Sequence, residues 1–142
     1  MFLGRHSHNL DAKGRLALPA RYRERLGDGV VLTRGFDVCI LVYPLEEWAP
    51  LAERVSALSL GDADARRLRR MLFADAVDVQ LDRQGRVLVP GHLREYAGLE
   101  RDALVVGMHT FIEIWTPQRW AAQRDELDAD GASFTERLAQ LI

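Results

Sequence analysis

One stretch, present twice, governs what this chain of 142 residues can fold into. Asn9-Leu10-Asp11-Ala12-Lys13-Gly14-Arg15-Leu16-Ala17-Leu18-Pro19 returns as Gln80-Leu81-Asp82-Arg83-Gln84-Gly85-Arg86-Val87-Leu88-Val89-Pro90. The shared pattern is apolar-Asp-x-x-Gly-Arg-apolar-x-apolar-Pro. Asp with Gly three positions later suits a tight type I turn, because the carboxylate accepts main-chain N–H groups and Gly tolerates the dihedrals that follow. The alternating apolar positions behind the glycine are those of a half-buried strand. Each copy therefore holds its arginine at the mouth of a strand. A long cation on a rigid hairpin tip, twice per chain, is suited to gripping something anionic.

The alignment continues beyond the hairpin with a shift of one residue. Gly35 matches Gly107, Ile40-Leu41-Val42-Tyr43 matches Ile112-Glu113-Ile114-Trp115, and Trp48 matches Trp120. Two copies make a tandem duplication and not a solenoid, which needs more stacked units for a continuous core. The expected arrangement is two related modules facing each other across a pseudo-two-fold axis. At 48% hydrophobic residues the chain can bury a core as one domain or as two modules sharing one, whereas either half alone would be marginal.

The single cysteine, Cys39, rules out an internal disulfide, fits a reducing compartment and is expected to be a buried structural thiol. No apolar run reaches the length of a membrane span and no signal-peptide pattern is present, so a cytosolic location is expected. Net charge is formally -2, but its distribution matters more than its sum. The first 34 residues hold Arg5, Lys13, Arg15, Arg21, Arg23, Arg25 and Arg34 against Asp11, Glu24 and Asp28, while Asp125, Glu126, Asp128 and Asp130 lie late in the chain.

Strands are expected at Phe2 to Gly4, Ser7 to Asp11, Arg15 to Leu18, Val30 to Leu32 and Val38 to Tyr43, with a short helix from Ala20 to Leu26 behind Pro19. Leu45, Trp48, Leu51, Ala52, Val55 and Leu58 form one helical stripe, and a second helix from Asp62 to Phe73 carries Arg66, Arg67, Arg69 and Arg70. That arginine run is read as solvated or engaged in subunit salt bridges. The second copy repeats the pattern with strands at Ala76 to Leu81, Arg86 to Val89, Leu104 to Val106 and Phe111 to Trp115, and a helix from His92 to Ala97. Thr116-Pro117 caps a helix to about Leu127, Asp128 to Gly131 should break it, and Ser133 with Glu136 spells a capping box for a last helix to Ile142. The expected division is a first module with its helix over 1–60, a linking helix over 61–75, a second module with its helix over 76–128 and a tail helix over 129–142.

Catalytic chemistry finds little support. His6, His8 and Asp11 share neighbouring strand positions, but the repeat copy lacks further ligands, so no metal site is expected. Phosphate loops, nucleophile elbows and Cys-x-x-Cys pairs are missing, and neither an enzyme nor a cofactor is expected. Asp11 and Asp82 are better turn formers than an acid/base pair. Trp48 and Trp120 sit on helical stripes and are expected in the core. What survives is the pair of tips with Lys13, Arg15, Arg83 and Arg86. A two-stranded ribbon fits the major groove of DNA, and arginine pairs with guanine edges or phosphate. Arg15 and Arg86 are equally suited to closing their own turns on Asp11 and Asp82, but the basic neighbours Lys13 and Arg83 favour an outward role.

At these residues the sequence resembles the bacterial MraZ family of transcriptional regulators. The likeness lies in Met1-Phe2-x-Gly4, the two Asp-x-x-x-Arg turns, Leu41-Val42-Tyr43-Pro44 with Glu47-Trp48, and Glu113-Ile114-Trp115. It implies an α+β fold of two tandem swapped-hairpin AbrB-like β-barrel modules, with helices between and after them. It further implies a ring-shaped homo-oligomer that binds short direct repeats in double-stranded DNA, associated with the nucleoid. The implied target is the promoter of a cell-division and cell-wall gene cluster that includes the regulator's own gene, held repressed. Carried over by position, Asp11, Lys13, Gly14 and Arg15 form the first DNA-binding tip, and Asp82, Arg83, Gly85 and Arg86 the second. Gln84 stands opposite Lys13 and Arg83 opposite Ala12, so the tips are expected to contact DNA unequally. The alternative class is a ring-forming scaffold that binds a protein partner through the same tips.

Overall fold

The computed structural model, which describes residues 1–142, joins eight strands. They are β1 (Arg5–Asn9), β2 (Arg15–Ala17), β3 (Val30–Arg34), β4 (Ile40–Pro44), β5 (Val77–Val79), β6 (Arg86–Leu88), β7 (Asp102–Gly107) and β8 (Ile112–Trp115). Of these, β3, β4, β7 and β8 are mainly apolar and rich in β-branched residues, while β1 is polar throughout. The helices are α1 (Leu45–Ser56), α2 (Ala63–Arg69), α3 (Gly91–Ala97) and α4 (Pro117–Ala139). Ala20–Leu26, in the position that α3 occupies in the second copy, winds as a tighter 3-10 helix, and one π-helical turn, Arg70–Ala74, follows α2.

Pairing is entirely antiparallel and crosses between the copies. A six-stranded sheet runs β1-β7-β8-β4-β3-β5, and β2 pairs with β6 in a separate ribbon. The first copy's β1 thus lies on the second copy's β7, and β5 returns the exchange on β3. Residues facing each other in the β4–β8 and β2–β6 pairs show where the pseudo-two-fold axis runs. Leu41 opposes Glu113, and Leu16 opposes Val87, each pair joining equivalent positions of the two copies. Read residue by residue, the sequence suggested that each turn joins a local hairpin. The two flanks of the first turn form no strand ladder, meeting in the Asp11–Arg15 bonds and the isolated Leu10–Leu16 bridge, and the ribbon is built from one strand of each copy.

The main core follows from this exchange. Phe2, Leu16, Leu18, Leu26, Leu32 and Ile40 of the first copy pack with Val87, Val89, Leu93, Val105 and Ile114 of the second, all without solvent exposure. Neither half could bury these side chains alone, since each supplies the other's missing strand. A smaller cluster covers the opposite face of the large sheet, with Cys39, Leu41, Tyr43, Val106 and Trp115 under α1 and α4. Cys39 is buried as expected, and that burial, helped by Glu113 and Asp37, pushes its thiol pKa upward. Trp48 and Trp120 are half-buried at the margin of this smaller cluster and lie outside the main core.

Two helical expectations are corrected. The arginine-bearing helix is α-helical only to Arg69, where the main chain widens into the π turn and Leu72 turns its carbonyl to the buried Thr33 hydroxyl at 2.6 Å. Two of its arginines act locally and do not simply face solvent: Arg66 donates to the Leu60 carbonyl at 2.8 Å, and Arg69 donates to the carbonyls of Ser56 and Leu58 at the end of α1. The expected break at Asp128 to Gly131 does not occur, because α4 runs through it. An exposed glycine costs a helix only about 1 kcal/mol against alanine. Gly131 has open space where a side chain would be, so no packing forces the chain out of the helix. Ser133 therefore caps nothing, and the Thr135 hydroxyl donates back to the Gly131 carbonyl inside the helix.

Candidate nucleic-acid interface

Each turn is built by its aspartate. Asp11 Oδ1 accepts the main-chain N–H groups of Lys13 at 3.0 Å and Arg15 at 2.9 Å, and its Oδ2 accepts Arg15 Nε–H at 2.6 Å. Asp82 repeats the arrangement with Gln84 and Arg86 N–H at 2.9 Å each and Arg86 Nε–H at 2.7 Å. The main-chain N–H of Arg15 is the largest influence holding the Asp11 pKa below the ordinary aspartate value, and that of Arg86 does the same for Asp82. The turn-closing role of Arg15 and Arg86 is therefore real. Their engagement runs through Nε, and only one outer nitrogen finds an acid, Arg86 Nη1 at 3.7 Å from Asp11 of the other turn.

The ribbon sets the two turns side by side. Leu18 N–H donates to the Gly85 carbonyl at 3.1 Å, and Val89 N–H donates to the Gly14 carbonyl at 2.9 Å, so each turn is bonded to the strand that leaves the other. Gly14 and Gly85 have φ of 82° and 75°, which side-chain-bearing residues rarely adopt. Their missing side chains also make room for arginines of the opposite copy. A Cβ on Gly14 would lie 2.9 Å from Arg94 Cζ, and one on Gly85 would lie 2.2 Å from Arg23 Nε. Each of these arginines is anchored by Nε–H, Arg23 to the Leu18 carbonyl at 3.0 Å and Arg94 to the Val89 carbonyl at 3.1 Å. The turns are thus braced crosswise.

All eight residues expected at the tips come together in this paired structure. Lys13 and Arg83 are exposed and have no acidic partner, whereas Arg15 and Arg86 are partly buried by their own turns. Sequence reasoning missed Arg23 and Arg94 as part of the site. The signal was present, since each stands four residues after the proline that ends its motif, Pro19 or Pro90. Nearby, His6 and His8 lie on one side of β1; burial, then His6 and Arg23, lowers the His8 pKa. No group of three or more His, Cys, Asp or Glu side chains is placed to hold a metal ion, and no helix is long and apolar enough to cross a membrane.

The model of the family described as "MraZ protein, putative antitoxin-like" matches twice, over residues 1–71 and 72–142. The chain belongs to the MraZ family. It is 58% identical over 142 residues to the transcriptional regulator MraZ of Thermomicrobium roseum, covering the whole of both chains. The protein of the same description from Roseiflexus sp. strain RS-1 is 48% identical over 141 residues, covering 99% of each chain. That of Acetivibrio thermocellus is 41% identical over 141 residues with the same coverage. The two family matches divide the chain between α2 and β5, inside the π turn. Strand exchange means that neither matched segment closes its own sheet.

Proposed function

We propose that this MraZ-family chain is a sequence-specific DNA-binding transcriptional regulator whose paired tips form one reading head. The observation that carries the proposal is the crosswise-braced ribbon, which presents Lys13, Arg83 and the outer ends of Arg15 and Arg86 on adjacent turns. The names of its relatives support a regulatory role. Arg15 and Arg86 act in two ways, closing the turns through Nε and offering their outer nitrogens to phosphate or a guanine edge. In keeping with the family resemblance, the target is a set of short direct repeats upstream of a cell-division and cell-wall gene cluster containing the chain's own gene, which is repressed, and the working form is a ring of copies.

Charge argues for the ring. About four cations per copy, at a counterion-release slope of roughly 0.9 per phosphate, bind weakly at cellular salt. Several copies on several repeats raise the effective concentration and recover affinity. A variant that cannot assemble is therefore expected to lose DNA binding with its tips intact.

Fluorescence anisotropy on the DNA upstream of the chain's own gene, at two salt concentrations, tests this proposal. Tight binding that weakens steeply with salt, and that Lys13→Ala with Arg83→Ala reduces at unchanged oligomer mass, is expected. Absence of binding by the parent, or binding indifferent to salt and to both substitutions, would contradict it and favour a protein-binding scaffold.

A further inference from the structure

The helix α4 has 23 residues and buries none of them. At a rise of about 1.5 Å per residue it extends roughly 35 Å. Along it Trp120, Leu127 and Phe134 recur at a spacing of seven, with Leu138 four residues beyond, a narrow apolar stripe interrupted by Arg124 and Gly131. Trp120 meets Trp115 edge-on at 5.7 Å between centroids, which fixes the start of the stripe on the sheet. Further along, the concave surface beside Leu127, Phe134 and Leu138 is lined by α4 residues alone. The same stretch carries Asp125, Glu126, Asp128 and Asp130, none of which has an ion partner in the chain.

A surface of complementary character lies on α2 and the π turn. Arg34, Arg67 and Arg70 surround the half-buried Leu68 and Met71 at an open hollow of about 670 Å³. Two aspartates share it, Asp75 at 3.4 Å from Arg34 and Asp64 at 3.6 Å from Arg67, which leaves Arg70 without an acidic partner. Arg34 stacks on Tyr96 at 4.2 Å, and its buried Nε has no hydrogen-bond acceptor. The hollow thus sets one acid-free cation, Arg70, beside apolar Leu68 and Met71, opposite in charge to the unpaired aspartates of α4, whose own concave surface also includes Arg137.

We infer that α4 of one copy seats against this hollow of a second copy, with Asp128 and Asp130 facing Arg67 and Arg70 and with Leu127 and Phe134 covering Leu68 and Met71. The inference names the surfaces of the assembly invoked above and rests on that reading. Because donor and acceptor surfaces differ, copies add head to tail, and such a contact closes into a ring when its rotation permits.

Charge reversal tests the contact without touching the core, since all four residues are exposed. Sedimentation would compare the parent with Asp128→Arg/Asp130→Arg, with Arg67→Glu/Arg70→Glu, and with the chain carrying all four changes. Each pair alone is expected to reduce a multimeric parent to the mass of one chain, 16.1 kDa. The fourfold variant is expected to reassemble with itself. A multimeric parent whose mass neither pair changes, or a fourfold variant that stays dissociated, would overturn the inference without contradicting the proposed DNA binding or the existence of an assembly. A monomeric parent that still binds the repeats tightly would overturn the assembly reading as well.

Discussion

The two turns agree in everything that builds them and differ in what they show to solvent. Corresponding hydrogen bonds around Asp11 and Asp82 match within 0.1 Å. At the apex, however, Ala12-Lys13 stands against Arg83-Gln84, so each tip has one free cation at a different position. Arg86 also leans towards Asp11, an approach with no counterpart from Arg15 to Asp82. The residues shared by the copies are therefore the frame, and those that differ are available to tell one half of a ligand from the other. A duplicated domain keeps its symmetry where the copies interlock and is free to lose it where they face outward.

Substitutions on the axis test the shared frame and carry the largest effect. Leu16→Ala should destabilise the fold by about 2–5 kcal/mol, since Leu16 is fully buried between the copies. Val87→Ala, at the equivalent buried position, should cost less because fewer atoms leave. Denaturant midpoints would measure both, and a single cooperative transition in each variant would show that the halves unfold together.

The turn glycines come next. Alanine at a positive φ costs about 1–2 kcal/mol, and both Gly14→Ala and Gly85→Ala incur it. Gly85→Ala should be the more harmful, because its new methyl would meet the stem of Arg23, at Cδ and Nε, whereas that of Gly14→Ala meets the more movable guanidinium of Arg94. Thermal midpoints of the two variants would rank them.

A smaller effect separates the aspartates by pH. Both carboxyls are held low, first by main-chain N–H bonds and then by their own arginines. Their contribution to stability is present above about pH 4 and is lost as pH falls through the lower folded-state values. Arg15→Ala should raise the Asp11 pKa alone, whereas Arg86→Ala should raise that of Asp82 and, by removing the cation 3.7 Å away, that of Asp11 to a smaller extent. NMR titration of the two carboxyl carbons would check this.

The turns themselves were legible in the sequence, because Asp, Gly and Arg have local jobs that spacing reveals. Most strands and the Thr116 cap were legible for the same reason, and Thr116 accepts the Arg119 N–H at 3.1 Å, but the strand expected at Phe2 to Gly4 is only an isolated bridge from Phe2 to His109. Strand partners were not: β1 carries no local signal that tells β2 from β7, and only the family resemblance implied the exchange. Arg23 and Arg94 recur at equivalent positions, but their role is to fill the space left by a glycine in the other copy, a relation that no single stretch contains. The unbroken α4 was missed because Asp and Gly weaken a helix without ending it when nothing else competes for the chain.

The central claim is that each tip is held by the opposite copy, and amide hydrogen exchange in Arg23→Ala and Arg94→Ala tests it most directly. Arg94→Ala should speed exchange at Gly14 and Arg15 while sparing Gly85 and Arg86, and Arg23→Ala should do the reverse. Faster exchange confined to the turn of the mutated residue's own copy, or equal loss at both turns in both variants, would contradict the crosswise bracing.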